Sequence, residues 1–189
     1  MTELVSLQQY KAFRNISGNT DEGKLNMLIP AVSKLIRTYC GRDFTGYFSV
    51  DKTEYHTLKW FQNAIFLREI PIVSVTSVSE LTEGSQTAYT LLTSDQYIVD
   101  AEMDAIYRIE DQVRYNFPIG INAVKVIYKG GYSAVPSDLQ LAACDLVTYY
   151  LKEQYLPEKN HASFTIRYNN DKPDFPEHIK RVLDFYRDT

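Results

Sequence analysis

The spacing of apolar residues changes twice along this chain, and that double change limits the fold more than any other feature. From about Asp21 to Cys40, Leu25, Leu28, Val32, Leu35, Ile36 and Tyr39 recur at helical spacing, with Gly41 placed as a stop. From about Phe44 to Tyr132 the pattern shortens to runs rich in Val, Ile, Thr and Tyr, separated by turn signals at Pro71, Gly84, Ser94-Asp95 and Gly130-Gly131. After Pro136 helical spacing returns in Leu139, Ala142, Ala143, Leu146, Val147, Tyr150 and Leu151. This order predicts an α+β fold: two long helices in a helical core, with a small antiparallel β lobe inserted between them.

The remaining elements are shorter. Ser6 and Gln9 form a capping-box pattern ahead of a short N-terminal helix that places Leu7, Tyr10 and Phe13 on one side. Ser137 with Gln140, and Asp174 with Glu177, give the same signature for the second long helix and for a C-terminal helix. Pro30 falls inside the first long helix, where its missing amide predicts a kink near Asn26. The β lobe divides into seven runs: YFSVDKTEYHTL, AIFL, IVSVTSV, TAYTLL, QYIVD, AIYRI and AVKVIYKGGY. Seven short strands suggest a small sandwich or barrel. The domain expectation is residues 1–43 with 133–155 as helical core, 44–132 as inserted lobe, and 156–189 as a C-terminal arm and helix.

Charge and chemistry narrow the function. With 20 Lys and Arg against 24 Asp and Glu, the net charge of -4 comes without any basic run, so tight phosphate binding is not expected. The start MTELVSLQQY carries neither a cationic leader nor an apolar h-region, and no membrane span is expected. His56, His161 and His178 lie in three separate segments, and Cys40 and Cys144 are far apart at the margins of their helical stripes, so no metal site or disulfide framework is expected. Asp100, Glu102 and Asp104 resemble the opening of a calcium loop, but Ala105 replaces the turn glycine and Asp111 the closing Glu, which reads as a hairpin turn. No nucleophile elbow or phosphate-binding loop occurs, so neither catalytic nor cofactor-binding residues are assigned. Tyr supplies 15 aromatic residues against 9 Phe and 1 Trp, a bias common in protein interfaces and also in half-buried strands.

Four blocks, in order, carry a family resemblance: LIPAVSKLIRTYCGRDF, IFLREIPIVSVTSV, QYIVDAEMDAIYRI and AVKVIYKGGYSAVPSDLQLAACDLVTYY. Through them, from Leu7 to about Tyr155, the chain resembles the head-to-tail connector, or adaptor, proteins of tailed bacteriophages. The resemblance implies a non-enzymatic virion subunit located in the neck. It would form a ring, commonly twelve-fold, under the portal protein, meet other neck or tail proteins, and let DNA pass through the lumen without specific binding. Other neck components, such as head-closure or tail-terminator proteins, are the nearest alternative, though they usually lack the long helix before the β part. A small β-barrel that binds single-stranded nucleic acid is the alternative from another class.

Residues 156–189 lie beyond the matched blocks. There Phe164, Ile166 and Tyr168 alternate with Thr165, Arg167 and Asn169, as in a strand with one apolar side, between the polar flanks PEKNHA and NDKPD. Two readings stand side by side: an arm that adds a strand to the portal or a neighbouring subunit, and an edge strand of the chain's own β lobe.

Overall fold

In the computed structural model, residues 3–85, 87–152, 158–161, 164–167 and 175–187 are described. They form a mixed α+β protein with antiparallel sheets and, among the described residues, four helices. The chain divides into two compact units, Met1–Arg42 with Val135–Thr189, and Asp43–Ala134.

In the first unit, the capping box at Ser6 forms in full: Ser6 Oγ accepts from the Gln9 amide at 3.2 Å, and Gln9 Oε1 accepts from the Ser6 amide at 2.8 Å. It starts α1 (Leu7–Arg14), which ends at Asn15 in the left-handed region. Only Tyr10 of the expected face is buried, and Phe13 is largely exposed. Helix α2 (Glu22–Cys40) runs unbroken through Pro30 and stops at Gly41, whose φ of 71° suits a residue without Cβ. Its buried stripe is Leu25, Ile29, Val32, Ser33, Ile36, Arg37 and Cys40. Leu28, Leu35 and Tyr39 are only half-buried, so the stripe sits one position further along than expected, and Cys40 lies inside it.

Helix α3 (Ser137–Leu151) lies against α2 and buries Leu139, Ala142, Ala143, Cys144, Leu146, Val147 and Thr148. The expected Ser137 cap does not form. Pro136 occupies the cap position, Ser137 is already helical, and the Gln140 side chain donates instead to the Val135 carbonyl at 2.8 Å. Thr148 donates to the Cys144 carbonyl at 2.9 Å, which leaves its oxygen to accept from Tyr10 at 3.0 Å and joins α1 to α3.

The second unit contains β1 (Lys52–Leu58), β2 (Ala64–Phe66), β3 (Ile72–Leu81), β4 (Tyr89–Leu91), β5 (Tyr97–Asp100), β6 (Ala105–Glu110), β7 (Val113–Arg114) and β8 (Gly120–Gly130). All seven runs read from the sequence hold a strand, and the two-residue β7 is additional. One sheet has the order β1-β8-β3-β4, the other β2-β6-β5 with β7 beside β6, all antiparallel. Leu58, Val78, Val124, Val126 and Tyr128 from the first sheet meet Ile65 and Ile106 from the second, with Leu67, Leu92 and Phe117, in one core. Two sheets closing on a shared core make a small sandwich.

Asp100 and Asp104 flank the β5–β6 turn. Asp100 Oδ1 accepts from the amides of Glu102 and Met103, and Asp104 Oδ1 from that of Ile72, each at 3.0 Å. Both carboxylates hold backbone.

The first unit also contains a two-stranded sheet, β9 (Glu158–His161) with β10 (Phe164–Arg167), and ends in α4 (Glu177–Asp184). Within PEKNHA, read from sequence as a polar flank, Glu158–His161 form β9 and pair residue for residue with β10, a pairing that polar residues reveal poorly because they show no apolar alternation. Asp174, the expected cap of α4, lies outside the described residues, and Pro176 holds the cap position. Ile179 and Leu183 are the buried residues of α4. The Tyr39 hydroxyl donates to Asp184 at 2.5 Å, and that of Tyr186 to Asp138 at 2.8 Å, tying α4 to α2 and α3.

Candidate interaction surfaces and the buried network behind them

Alternation along β1 turns Lys52, Glu54, His56 and Leu58 to one face and leaves Thr53, Tyr55 and Thr57 exposed. Three of the four inward residues are ionisable, so this end of the sandwich interior is polar. Glu54 is 7% exposed and Glu69, just after β2, is 3% exposed. Buried carboxylates of this kind require donors. Glu69 has them: the Asp43 amide at 3.1 Å, the Phe44 amide at 3.4 Å and Lys52 Nζ at 3.0 Å. The Tyr128 hydroxyl donates to Glu54 at 2.7 Å and accepts the Glu69 amide at 3.0 Å, linking the two glutamates. Burial and the adjoining carboxylates push the Tyr128 phenol well above its ordinary pKa, so it remains a donor.

His56 Nε2 lies 3.5 Å from Glu54 Oε1 and makes no hydrogen bond. Burial lowers its pKa, against the opposing pull of Glu54, which favours the neutral ring. The alternation of β1 was a legible signal for this cluster, but its partners Glu69 and Tyr128 come from distant positions that periodicity does not connect.

The network fixes the place where the chain enters and leaves the second unit. Beside it, the Tyr132 amide donates to the Phe44 carbonyl at 2.6 Å. Gly130 and Gly131 pass so close to the backbone that an added Cβ would lie 1.9 Å from the Glu69 carbonyl oxygen and 2.3 Å from that of Phe44. Gly131 also has a φ of 95°, matching the turn expected for this pair.

One patch of the sandwich surface is apolar. The Leu58–Gly120 pair and the bond from the Phe117 amide to the Gln62 carbonyl, 2.9 Å, bring the loop after β1 beside the segment before β8. There Trp60, Phe61 and Ile121 are 69%, 74% and 78% exposed. A groove of about 400 Å³ next to them is lined by Phe61, Glu80, Arg114, Tyr115, Asn116 and Phe117 among others. Arg108 beneath it is buried, bonded to Glu80 at 2.8 Å and stacked under Tyr115. Exposed apolar surface with a polar rim is characteristic of association sites.

Of the arm residues picked out from the sequence, Phe164 and Ile166 lie on β10, and Tyr168 lies outside the described residues. Strand β10 pairs with β9 in its own hairpin. The thiols of Cys40 and Cys144 are both buried, which pushes each up to about 11 and keeps them protonated near neutral pH. Among the described residues no group of three His, Cys, Asp or Glu side chains is arranged to hold a metal, and no helix is long and apolar enough to cross a membrane.

Comparison with known proteins agrees with the phage resemblance read from the sequence. The head completion protein of Escherichia phage T5 is 27% identical over 188 residues, covering 98% of each chain. Among solved structures, the chain is similar to one from the neck of an empty GTA particle computed with C6 symmetry (TM-score 0.56, 12% identity, 98% of this chain and 90% of that one). It is also similar to one from the neck of a native GTA particle computed with C12 symmetry (TM-score 0.52, 14% identity, 100% and 94%). A third match comes from the virion of a native gene transfer agent (TM-score 0.55, 16% identity, 100% and 95%). Identities this low establish a shared fold. The family model for head completion proteins matches residues 3–189, so this chain belongs to the head completion protein family.

Proposed function

We propose that this protein is a structural subunit of the virion neck, a head-to-tail connector that assembles as a ring beneath the portal protein, extends the DNA channel and meets the next neck or tail protein. The observation that carries this reading is the family match over residues 3–189, with the phage T5 head completion protein related along its whole length. The solved neck particles with C6 and C12 symmetry support a cyclic arrangement, and we take twelve copies as the working number.

Charge suits a lumen through which DNA slides. Residues 43–134 hold seven Lys and Arg against twelve Asp and Glu, which does not favour a grip on phosphates. The role is mechanical rather than catalytic, consistent with both thiols being buried and protonated and with the central carboxylates being engaged by backbone amides and Lys52. Electron microscopy of the protein mixed with its portal tests the proposal: a ring stacked on the portal is expected, and a portal left bare would overturn it.

A further inference from the structure

We infer that the β9–β10 hairpin of one copy adds, through the outer edge of β10, to the open edge of β5 in a second copy, so that neighbouring subunits share a sheet. The inference rests on the ring reading and deepens it by naming the two surfaces that meet.

The hairpin offers an edge to which a further strand can add. Among the described residues β9 and β10 form a sheet of two strands only, four residues each. A lone two-stranded hairpin is marginal in water. Its register fixes which groups remain free. Only two residues separate His161 from Phe164, so these form a hydrogen-bonded pair and alternate pairs follow down the ladder. The amides of Thr165 and Arg167 therefore point away from β9.

The second unit offers a matching edge. The Ile109 amide bonds the Gln96 carbonyl at 3.0 Å, while the Arg108 amide turns to Asn63 on the β2 side at 2.8 Å. By alternation Ile98 and Asp100 bond to β6, and Tyr97 and Val99 direct their amides and carbonyls outward. Strand β5 is four residues long, like β10. Ile98 is 50% and Val99 37% exposed, and the strand has none of the Lys or Pro residues that guard sheet edges. The other outer strands fit less well: β2 and β4 have three residues each, and β1 begins at Lys52 with Lys59 directly after it.

Charge identifies the occupant as a second copy. Asp95 and Glu102 flank β5, which itself ends in Asp100, with no cation between residues 95 and 107, whereas the hairpin sequence EKNHASFTIR has Lys159 and Arg167 against Glu158. A cyclic ring needs each subunit to carry two different complementary surfaces. This chain carries both. Backbone pairing of this kind is the strand-addition mode of recognition.

The test uses full-length protein assembled into rings, on portal where portal is required. Ile98→Cys and Thr165→Cys variants are mixed in equal amounts, assembled and treated with a short bismaleimide. Wild type, with both native cysteines buried, serves as the blank. A cross-linked dimer is expected from the mixture and not from either variant alone. Thr165→Pro, which removes an outward amide and spares the hairpin's own bonds, should reduce assembly roughly tenfold while the free subunit melts like wild type. Should Thr165→Pro misfold, the cross-link decides alone. Rings without the dimer, closure within one chain carrying both cysteines, or cross-linking of Thr165→Cys to portal instead would overturn the inference and leave the ring standing. Failure of wild type to form rings would overturn both.

Discussion

Tyr128 and Glu54, 74 positions apart, meet at 2.7 Å, and the same hydroxyl receives the Glu69 amide at 3.0 Å. One phenol therefore satisfies two buried groups from two different segments. Tyr128→Phe removes it without changing the packing of the ring and leaves Glu54 short of a donor. We expect a loss of about 1–3 kcal/mol in urea unfolding, with the slope unchanged. An unchanged midpoint would show that the bond contributes nothing.

Gly130 and Gly23 form a matched pair for a backbone test. A Cβ at Gly130 would meet the Glu69 carbonyl oxygen at 1.9 Å, while one at Gly23 in α2 meets nothing within 4 Å. Gly130→Ala must displace backbone, and we expect a loss of about 3 kcal/mol or more, or loss of soluble protein. Gly23→Ala should be neutral or raise stability by up to about 1 kcal/mol. Equal melting temperatures for the two variants would contradict the close approach.

Leu146 is fully buried in the α3 face. Leu146→Ala should cost about 2–5 kcal/mol, and Leu146→Asp, which buries an unpaired charge, should abolish soluble expression. Wild-type melting of Leu146→Asp would place the core of this unit elsewhere.

The helix stripes and strand runs were legible because burial on one face imposes a period on the sequence. What periodicity could not show were features set by distant partners. The buried stripe of α2 includes Ser33, whose hydroxyl accepts the Leu4 amide at 3.0 Å, and Arg37, two polar positions that an apolar pattern does not mark. The capping box at Ser6 formed, but the one read at Ser137 did not, since Pro136 already sets the chain direction there. The inward polar face of β1 depends on Glu69 and Tyr128, and β9 was hidden because EKNH has no apolar alternation.

His56 gives the fold a defined acid sensitivity. Burial places its folded pKa below the ordinary value of 6.5, with Glu54 opposing the shift and Arg68 and Lys52 reinforcing it. Above that value both folded and unfolded chains hold the ring neutral. As pH falls below it the unfolded chain takes up a proton that the folded chain resists, so stability is lost until the folded pKa is passed. Unfolding free energy followed from about pH 7 to about pH 5 should therefore fall less steeply in His56→Gln than in wild type. Parallel slopes would contradict it.

Native mass measurement of the protein with and without its portal bears most directly on the neck reading. Alone, the acidic chain should be a monomer or small oligomer, and portal should convert it to a closed ring, with twelve copies as the expected number. A stable large oligomer of another symmetry that ignores portal, or a monomer that never associates with it, would contradict the account.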